Sequence, residues 1–253
     1  MNTEETLIFY NWMPVVAKWV ADYPDSYYRT HGVSSIHNNT FLNQENISLI
    51  EEGDIVFVKT DFLKDGSFQQ QILPNIQVPF VLISGVSSNS VDNYESLLNE
   101  EKILKWFCTN PPCEHEKVVG IPIGFEEKER DGGNQEVINS FLGKSVEKNN
   151  RVLLPYHNKN TNIVRGAAID YLKSLPFVDV QEEKLPFKEY LELMSTYKYC
   201  VCLEGSGFDT HRNYESLLVG TVPIMKNSGI NLMFNDYELP LCFIGDWKDI
   251  DAD

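Results

Sequence analysis

The sequence predicts an α/β protein of two halves, each a parallel sheet covered by helices. Three observations carry this expectation. Runs such as "DIVFVKT" (54–60) and "YCVCL" (199–203) are short and almost continuously apolar, as strands buried on both faces must be. In the second half such runs alternate with helical patterns of about ten residues, the rhythm of repeated strand-helix units. A polar, glycine-containing passage, "EEKERDGGNQ" (126–135) followed by "GKSVEKNN" (143–150), divides the chain into domains 1–145 and 146–253.

In the first half, "TLIFY" (6–10), "DIVFVKT", "PFVLIS" (79–84) and "VVGIPIG" (118–124) are predicted strands, and "YESLLNEEKILKWF" (94–107) a helix. The stretch 23–48 is rich in Tyr, Ser, Asn and His without a period and reads as loop. The second half is more regular. Strands are expected at 151–156, 177–181, 199–203, 221–225 and 241–245, and helices at 161–174, 187–197 and 210–219, which is a Rossmann-like order.

Composition narrows the partners. With 21 Lys+Arg against 37 Asp+Glu the net charge is −16, and no basic stripe interleaved with aromatics stands out, which argues against nucleic acid and anionic membranes. No apolar run approaches the roughly 20 residues of a membrane span. The segment "MNTEETLIFYNWM" has no basic residue before its short apolar run, unlike a secretory signal. A soluble, cytoplasmic protein is expected. Five cysteines without framework spacing suit a reducing compartment. Cys108, Cys113 and His115 make half of a zinc site whose second pair is missing, so they read as loop thiols. Cys200 and Cys202 alternate and should share one face of a strand.

The chemistry concentrates at "CLEGSGFDTHRNYESLLVG" (202–220). In an open parallel sheet, ligands bind beyond the carboxyl ends of the strands, where residues 204–212 are expected. Gly205 and Gly207 offer positive φ and close backbone approach. Asp209 or Thr210 would cap the next helix, and Gly220 stands where that helix should stop. A helix start aimed into the crevice attracts anions, and Arg212 adds a forked donor for phosphate oxygens. At about 100° per residue, His211, Arg212 and Glu215 share one arc of the helix, with Tyr214, Leu217 and Leu218 outside it. Glu215, one turn in, is placed to accept hydrogen bonds from ribose hydroxyls. The plain alternative is a surface ion pair between Arg212 and Glu215. Only five arginines exist, at 29, 130, 151, 165 and 212, so a guanidinium site has few choices. Arg165 is the second candidate for the same diphosphate, with an ordinary surface role as its alternative.

The segment "YLELMSTYKYCVCLEGSGFDTHRNYESLLVGTVPIM" resembles the C-terminal signature of exostosin-like glycosyltransferases, including small soluble versions encoded by large DNA viruses. Glu204, Gly205, Gly207, Asp209, His211, Arg212, Glu215, Gly220, Pro223 and Ile224 fill that pattern, and Tyr214 stands where an aromatic is usual. A weaker likeness extends to "DIVFVKTDFL", "KWFCTNP…VVGIPIGFEE" and "LPLCFIGDW". The resemblance implies a GT-B fold, two Rossmann-like domains facing a cleft, with the nucleotide-sugar donor on the C-terminal one. A UDP-sugar comes ahead of a GDP-sugar, and the acceptor would be a glycan or glycoprotein. The membrane anchor usual in animal exostosins is not seen, and the chain stops soon after "DWKDIDAD", where a returning helix would be expected. An α-fucosyltransferase signature is also similar, but Thr210-His211-Arg212 departs from its Thr-Glu-Lys helix start.

The mechanism this implies is inverting and needs no metal cofactor: Arg212 and the helix start stabilise the leaving diphosphate. "DID" at 249–251 matches a metal-binding Asp-x-Asp by letter alone. Glu204 is expected on donor-sugar hydroxyls, or as a plain turn residue. The base that takes the acceptor proton is expected from the first half: Asp61 first, then His31 and Asp92, each with a structural alternative as turn, loop or cap residue. A catalytically silent nucleotide- or sugar-binding module is the competing reading. A generic hydrolase or dehydrogenase lacks Gly-x-Ser-x-Gly, and "GSG" at 205–207 lacks the third glycine of a dinucleotide turn.

Overall fold

The computed structural model describes residues 8–9, 12–24, 40–87, 91–92, 94–128, 130–161, 163–229, 231–234 and 239–251. The described chain forms two compact units, one over Ile8–Ile123 and one beginning at Gly124. The passage was expected near residue 145. Residues 124–145 instead pack with the second sheet's helices: the Asp131 carboxylate accepts a hydrogen bond from the Phe187 amide at 3.3 Å, and the Gly124 carbonyl accepts one from His211 at 2.8 Å.

In the first unit the strands are β1 (Trp19–Ala21), β2 (Thr40–Phe41), β3 (Ile55–Lys59), β4 (Phe80–Gly85), β5 (Ile103–Cys108) and β6 (Val118–Gly120). They order as β2-β1-β3-β4-β5-β6, all neighbours parallel. The sheet is thus five parallel strands extended at one edge by the two-residue β2. Continuous apolarity has its expected cause here. Val56 and Val58 join one core, with Leu82 and Trp106, while Phe57 between them joins the other, with Met13 and Ile83.

The expected helix 94–107 is corrected by this sheet. A helix spans only Glu95–Leu98; the chain then turns, with the Ile103 amide bonded to the Glu100 carbonyl at 3.1 Å, and runs on as β5. Ile103, Trp106 and Cys108 are buried while Leu104 and Lys105 are exposed. The Trp106 indole donates to Ser84 Oγ of β4 at 2.8 Å. Ile, Trp and Phe favour a pleated buried surface, and pairing with β4 replaces the expected helix. Of the expected strand 6–10 only residues 8 and 9 are described, and of the loop 23–48 residues 25–39 are not.

The second unit holds β7 (Asn149–Leu154), β8 (Val178–Val180), β9 (Tyr197–Val201), β10 (Val222–Lys226) and β11 (Cys242–Ile244), with helices over Gln135–Phe141, Ile163–Leu172, Phe187–Ser195 and His211–Leu218. All five strands are parallel, in the order β11-β10-β9-β7-β8. Every expected strand and helix of this half is present, within about two residues at each end, the ordinary uncertainty of helix and strand ends. Val152, Leu154, Val201 and Leu203 pack on one face with Ala168, Ile169 and Leu172 of the helix Ile163–Leu172. On the other face Cys202 Sγ lies 3.5 Å from Ser216 Oγ, whose hydroxyl contacts Met194 Sδ. Gly220 ends the helix His211–Leu218 at φ 68°, the left-handed stop that glycine makes cheaply.

The strand order places a switch point between β7 and β9. From β7 the chain crosses to β8 on one side, and from β9 it crosses to β10 on the other. The two connections leave a crevice between them at the carboxyl ends, the position at which open α/β sheets bind ligands.

Candidate functional site

The crevice is formed by the turn after β7, residues 155–158, and the connection after β9, residues 202–210. It opens into a cavity of about 510 Å³ lined by Tyr156, His157, Arg165, Tyr190, Arg212 and Glu215, among others. Two of the few arginines meet here. Arg165 rises from the helix Ile163–Leu172 and donates from Nε to the Glu204 carbonyl at 2.8 Å, and from its two terminal nitrogens to the carbonyls of Asn158 and Leu203, both at 3.2 Å. Arg212, in the first turn of His211–Leu218, donates from Nε to the Tyr190 hydroxyl and from Nη2 to the Tyr156 carbonyl, both at 3.0 Å. Among the described residues neither guanidinium has a carboxylate oxygen within 4.0 Å. The other two described arginines do: Arg151 with Asp179 at 2.6 Å, and Arg130 with Glu127 at 2.8 Å.

The alternative of a direct surface ion pair between Arg212 and Glu215 gives way to a relay. The Tyr190 hydroxyl accepts from Arg212 and donates to Glu215 Oε2 at 3.0 Å, and the guanidinium stands 5.7 Å from the Tyr190 ring centroid. Burial pushes the Glu215 carboxyl above its ordinary range, against the pull of Arg212 and His211. Burial likewise pushes the Tyr190 phenol well up, which keeps it a donor. Burial opposes the Arg212 charge, yet Tyr190 and Glu215 beside it hold the guanidinium firmly protonated. For Arg165, burial and then Arg212 press the other way. Two cations share one cavity, and backbone carbonyls compensate them in part.

His211 lines the cavity, and its Nδ1 must donate to the Gly124 carbonyl, which can only accept. Thr210 occupies the N-cap position in extended conformation, φ −135° and ψ 148°, without a side-chain capping bond. Asp209 is no cap either. Its buried carboxylate accepts from Tyr214 Oη at 2.6 Å and Asn213 Nδ2 at 3.0 Å, fixing the turn from below. Gly205 and Gly207 do not adopt positive φ. They form a tight turn, Gly205 N to Gly207 O at 3.0 Å, and a Cβ on Gly205 would meet Arg165 Nη2 and Thr210 Cγ2 at an ordinary 3.8 Å. Neither glycine nor Asp209 lines the cavity. Glu204 lines an adjoining cavity of about 190 Å³ with Trp247 and Lys226, and its carbonyl holds Arg165.

Two residues of this site, Tyr190 and His157, lie outside the segment 202–220 in which the sequence gathers its polar residues. Tyr190 belongs to the helix Phe187–Ser195 and reaches Arg212 only through packing between helices. His157 follows β7 directly, and its place just beyond a strand end was the available signal. His157 Nδ1 lies 2.7 Å from the Pro155 carbonyl. Burial, then Arg212, lowers its pKa to about 2, so the ring is neutral.

In the first unit Asp61 lies at the carboxyl end of β3, as expected, in the first turn of the short helix Thr60–Lys64. Its carboxylate stands 4.0 Å from the Lys59 ammonium, and Lys59 itself bonds the Val86 carbonyl. Asp22, just past β1, is buried, and its Oδ1 accepts from the Tyr23 amide at 2.6 Å. Asp92 is exposed, and the helix after it is entered through Tyr94 without a side-chain cap. His31 lies outside the described residues. Among the described residues no cluster of three or more His, Cys, Asp or Glu is placed to hold a metal ion, and Cys108 and Cys113 are free thiols. No helix among them is long and apolar enough to cross a membrane. No protein-family model matches the chain.

Proposed function

We propose that the second unit binds a nucleotide-diphosphate sugar and that the chain is a glycosyltransferase, inverting and independent of metal. The observation that carries this reading is the pair Arg165 and Arg212, two guanidiniums in the switch-point crevice with no carboxylate oxygen within 4.0 Å among the described residues. Five N–H donors per guanidinium exceed the three bonds Arg165 makes and the two Arg212 makes, so donors remain for phosphate oxygens. The helix start at Thr210 to Arg212 lies on the same cavity and adds its positive dipole end.

Glycosyl transfer builds negative charge on the departing diphosphate, and a pre-set cationic pair stabilises that charge more than the ground state. Glu215 presents its other oxygen, Oε1, to a ribose hydroxyl. The donor is a UDP-sugar ahead of a GDP-sugar, the acceptor a glycan or glycoprotein hydroxyl. The resemblance to exostosin-like enzymes implies an acceptor held by the first unit, and Asp61, at the carboxyl end of β3, is the base that takes the proton.

A thermal-shift screen against UDP, GDP and their sugars, followed by hydrolysis of the stabilising donor, tests this. Stabilisation with turnover supports a transferase. Stabilisation without turnover supports the silent binding module, and no stabilisation by any nucleotide rejects the site.

A further inference from the structure

The turn Tyr156-His157-Asn158 holds both arginines, since the Tyr156 carbonyl receives Arg212 and the Asn158 carbonyl receives Arg165. His157 stands between those two carbonyls, 7% exposed, and lines the cavity. Its tautomer is fixed by chemistry: the Pro155 carbonyl only accepts, so Nδ1 carries the proton and Nε2 is left with a lone pair. That Nε2 is buried with no hydrogen-bond partner. Native folds rarely leave a buried acceptor orphaned, and a bound ligand is one of the few explanations.

Both guanidiniums offer donors to an anion, whereas His157 offers only an acceptor. The diphosphate of a nucleotide sugar has no proton to give it at neutral pH; an alcohol hydroxyl has. We infer that His157 Nε2 accepts a hydrogen bond from a sugar hydroxyl of the ligand whose diphosphate lies on Arg165 and Arg212, making His157 a specificity residue that separates nucleotides from bare phosphates. This rests on the nucleotide-diphosphate reading of the site. The hydroxyl comes either from the ribose or from the transferred sugar.

The test measures dissociation constants by calorimetry for pyrophosphate, UDP, its 2′-deoxy and 3′-deoxy analogues and UDP-glucose, with the GDP series in parallel. The wild-type chain is compared with His157→Phe and His157→Gln, each checked by circular dichroism. His157→Phe is expected to weaken the nucleotide by about tenfold, the scale of one neutral hydrogen bond, and to leave pyrophosphate unchanged. His157→Gln, which can present an oxygen near the same place, should recover most of the loss. If the ribose supplies the hydroxyl, one deoxy analogue binds the wild type as weakly as UDP binds His157→Phe, and loses nothing further in that variant. If the transferred sugar supplies it, only the UDP-sugar is weakened. Unchanged affinity for every nucleotide and nucleotide sugar overturns the inference and leaves the nitrogen to a water. An equal loss for pyrophosphate also overturns it, since His157 would then act only by supporting the arginines. A wild type that binds neither pyrophosphate nor any nucleotide overturns the site reading and this inference with it.

Discussion

The two ends of the second sheet treat positive charge in opposite ways. Near the amino ends, where helices finish, Lys148 places its ammonium on the Ser195 carbonyl at 2.7 Å, the Val219 carbonyl at 2.9 Å and Thr221 Oγ1 at 3.2 Å. It satisfies the orphan acceptors at two helix C-termini, and its charge suits their negative dipole ends. Arg151, early in β7, is matched by Asp179 through Nε at 2.8 Å and Nη2 at 2.6 Å. At the carboxyl ends a helix begins, which is already electropositive, and Arg165 and Arg212 are added there with no carboxylate oxygen within 4.0 Å among the described residues, Glu215 reaching Arg212 only through Tyr190. The first arrangement completes the fold. The second, on the proposed reading, receives an anion.

Breaking the carboxyl-end pair should have the largest effect. Arg212→Ala is expected to abolish transfer and weaken nucleotide-diphosphate binding on the order of 100-fold, the worth of a desolvated charge-assisted contact; calorimetry with unchanged affinity would discard the site. Arg165→Ala should follow with a loss of roughly tenfold, read in the same titration. Arg151→Ala sharpens the contrast, because it should leave nucleotide affinity where it was.

Lys148→Met tests the opposite end. Removing the ammonium strands buried acceptors, so a thermal melt should show a loss of about 1–3 kcal/mol with no change in nucleotide affinity per folded molecule. Acid titration separates the ends as well. The folded pKa of His157 lies at about 2, below its ordinary 6.5, so its neutral burial favours folding above pH 6.5 and that contribution falls away as the pH drops toward 2. His157→Gln should therefore flatten the loss of stability on acidification, by roughly 1 kcal/mol at pH 5.5. Glu215 has the opposite sign. Its raised pKa makes the ionised, buried form a cost above the ordinary glutamate range, so Glu215→Gln should stabilise the protein slightly at pH 7, by less than about 1 kcal/mol. A melt showing clear destabilisation would mean that the relay through Tyr190 outweighs that cost.

The second unit was far more legible in sequence than the first. From Arg151 to Leu218 the apolar runs alternate with helical patterns, so local pattern and tertiary role agree. The first unit departs from this at β5. The run from Tyr94 to Phe107 reads as one helix in the sequence, but strand β4 alongside decides the outcome. At the site, the arc of His211, Arg212 and Glu215 was readable because it lies on one helix, whereas Tyr190 and His157 belong to other elements. The reading of Asp209 as a cap and of Gly205 and Gly207 as positive-φ residues failed because residue type permits such roles without requiring them. Asp209 found better partners in Asn213 and Tyr214.

By itself the sequence determined the alternation of buried strands and helices, the stop at Gly220 and the gathering of polar residues after Leu203, all local properties of spacing and residue type. Tertiary structure alone decided that β9 lies beside β7 rather than beside β8. That adjacency opens the crevice, and it brings Arg165 and His157 from one connection to Arg212 on another. Periodicity along a chain carries no record of which strands become neighbours, so the charge balance of the site is set only when the sheet is assembled.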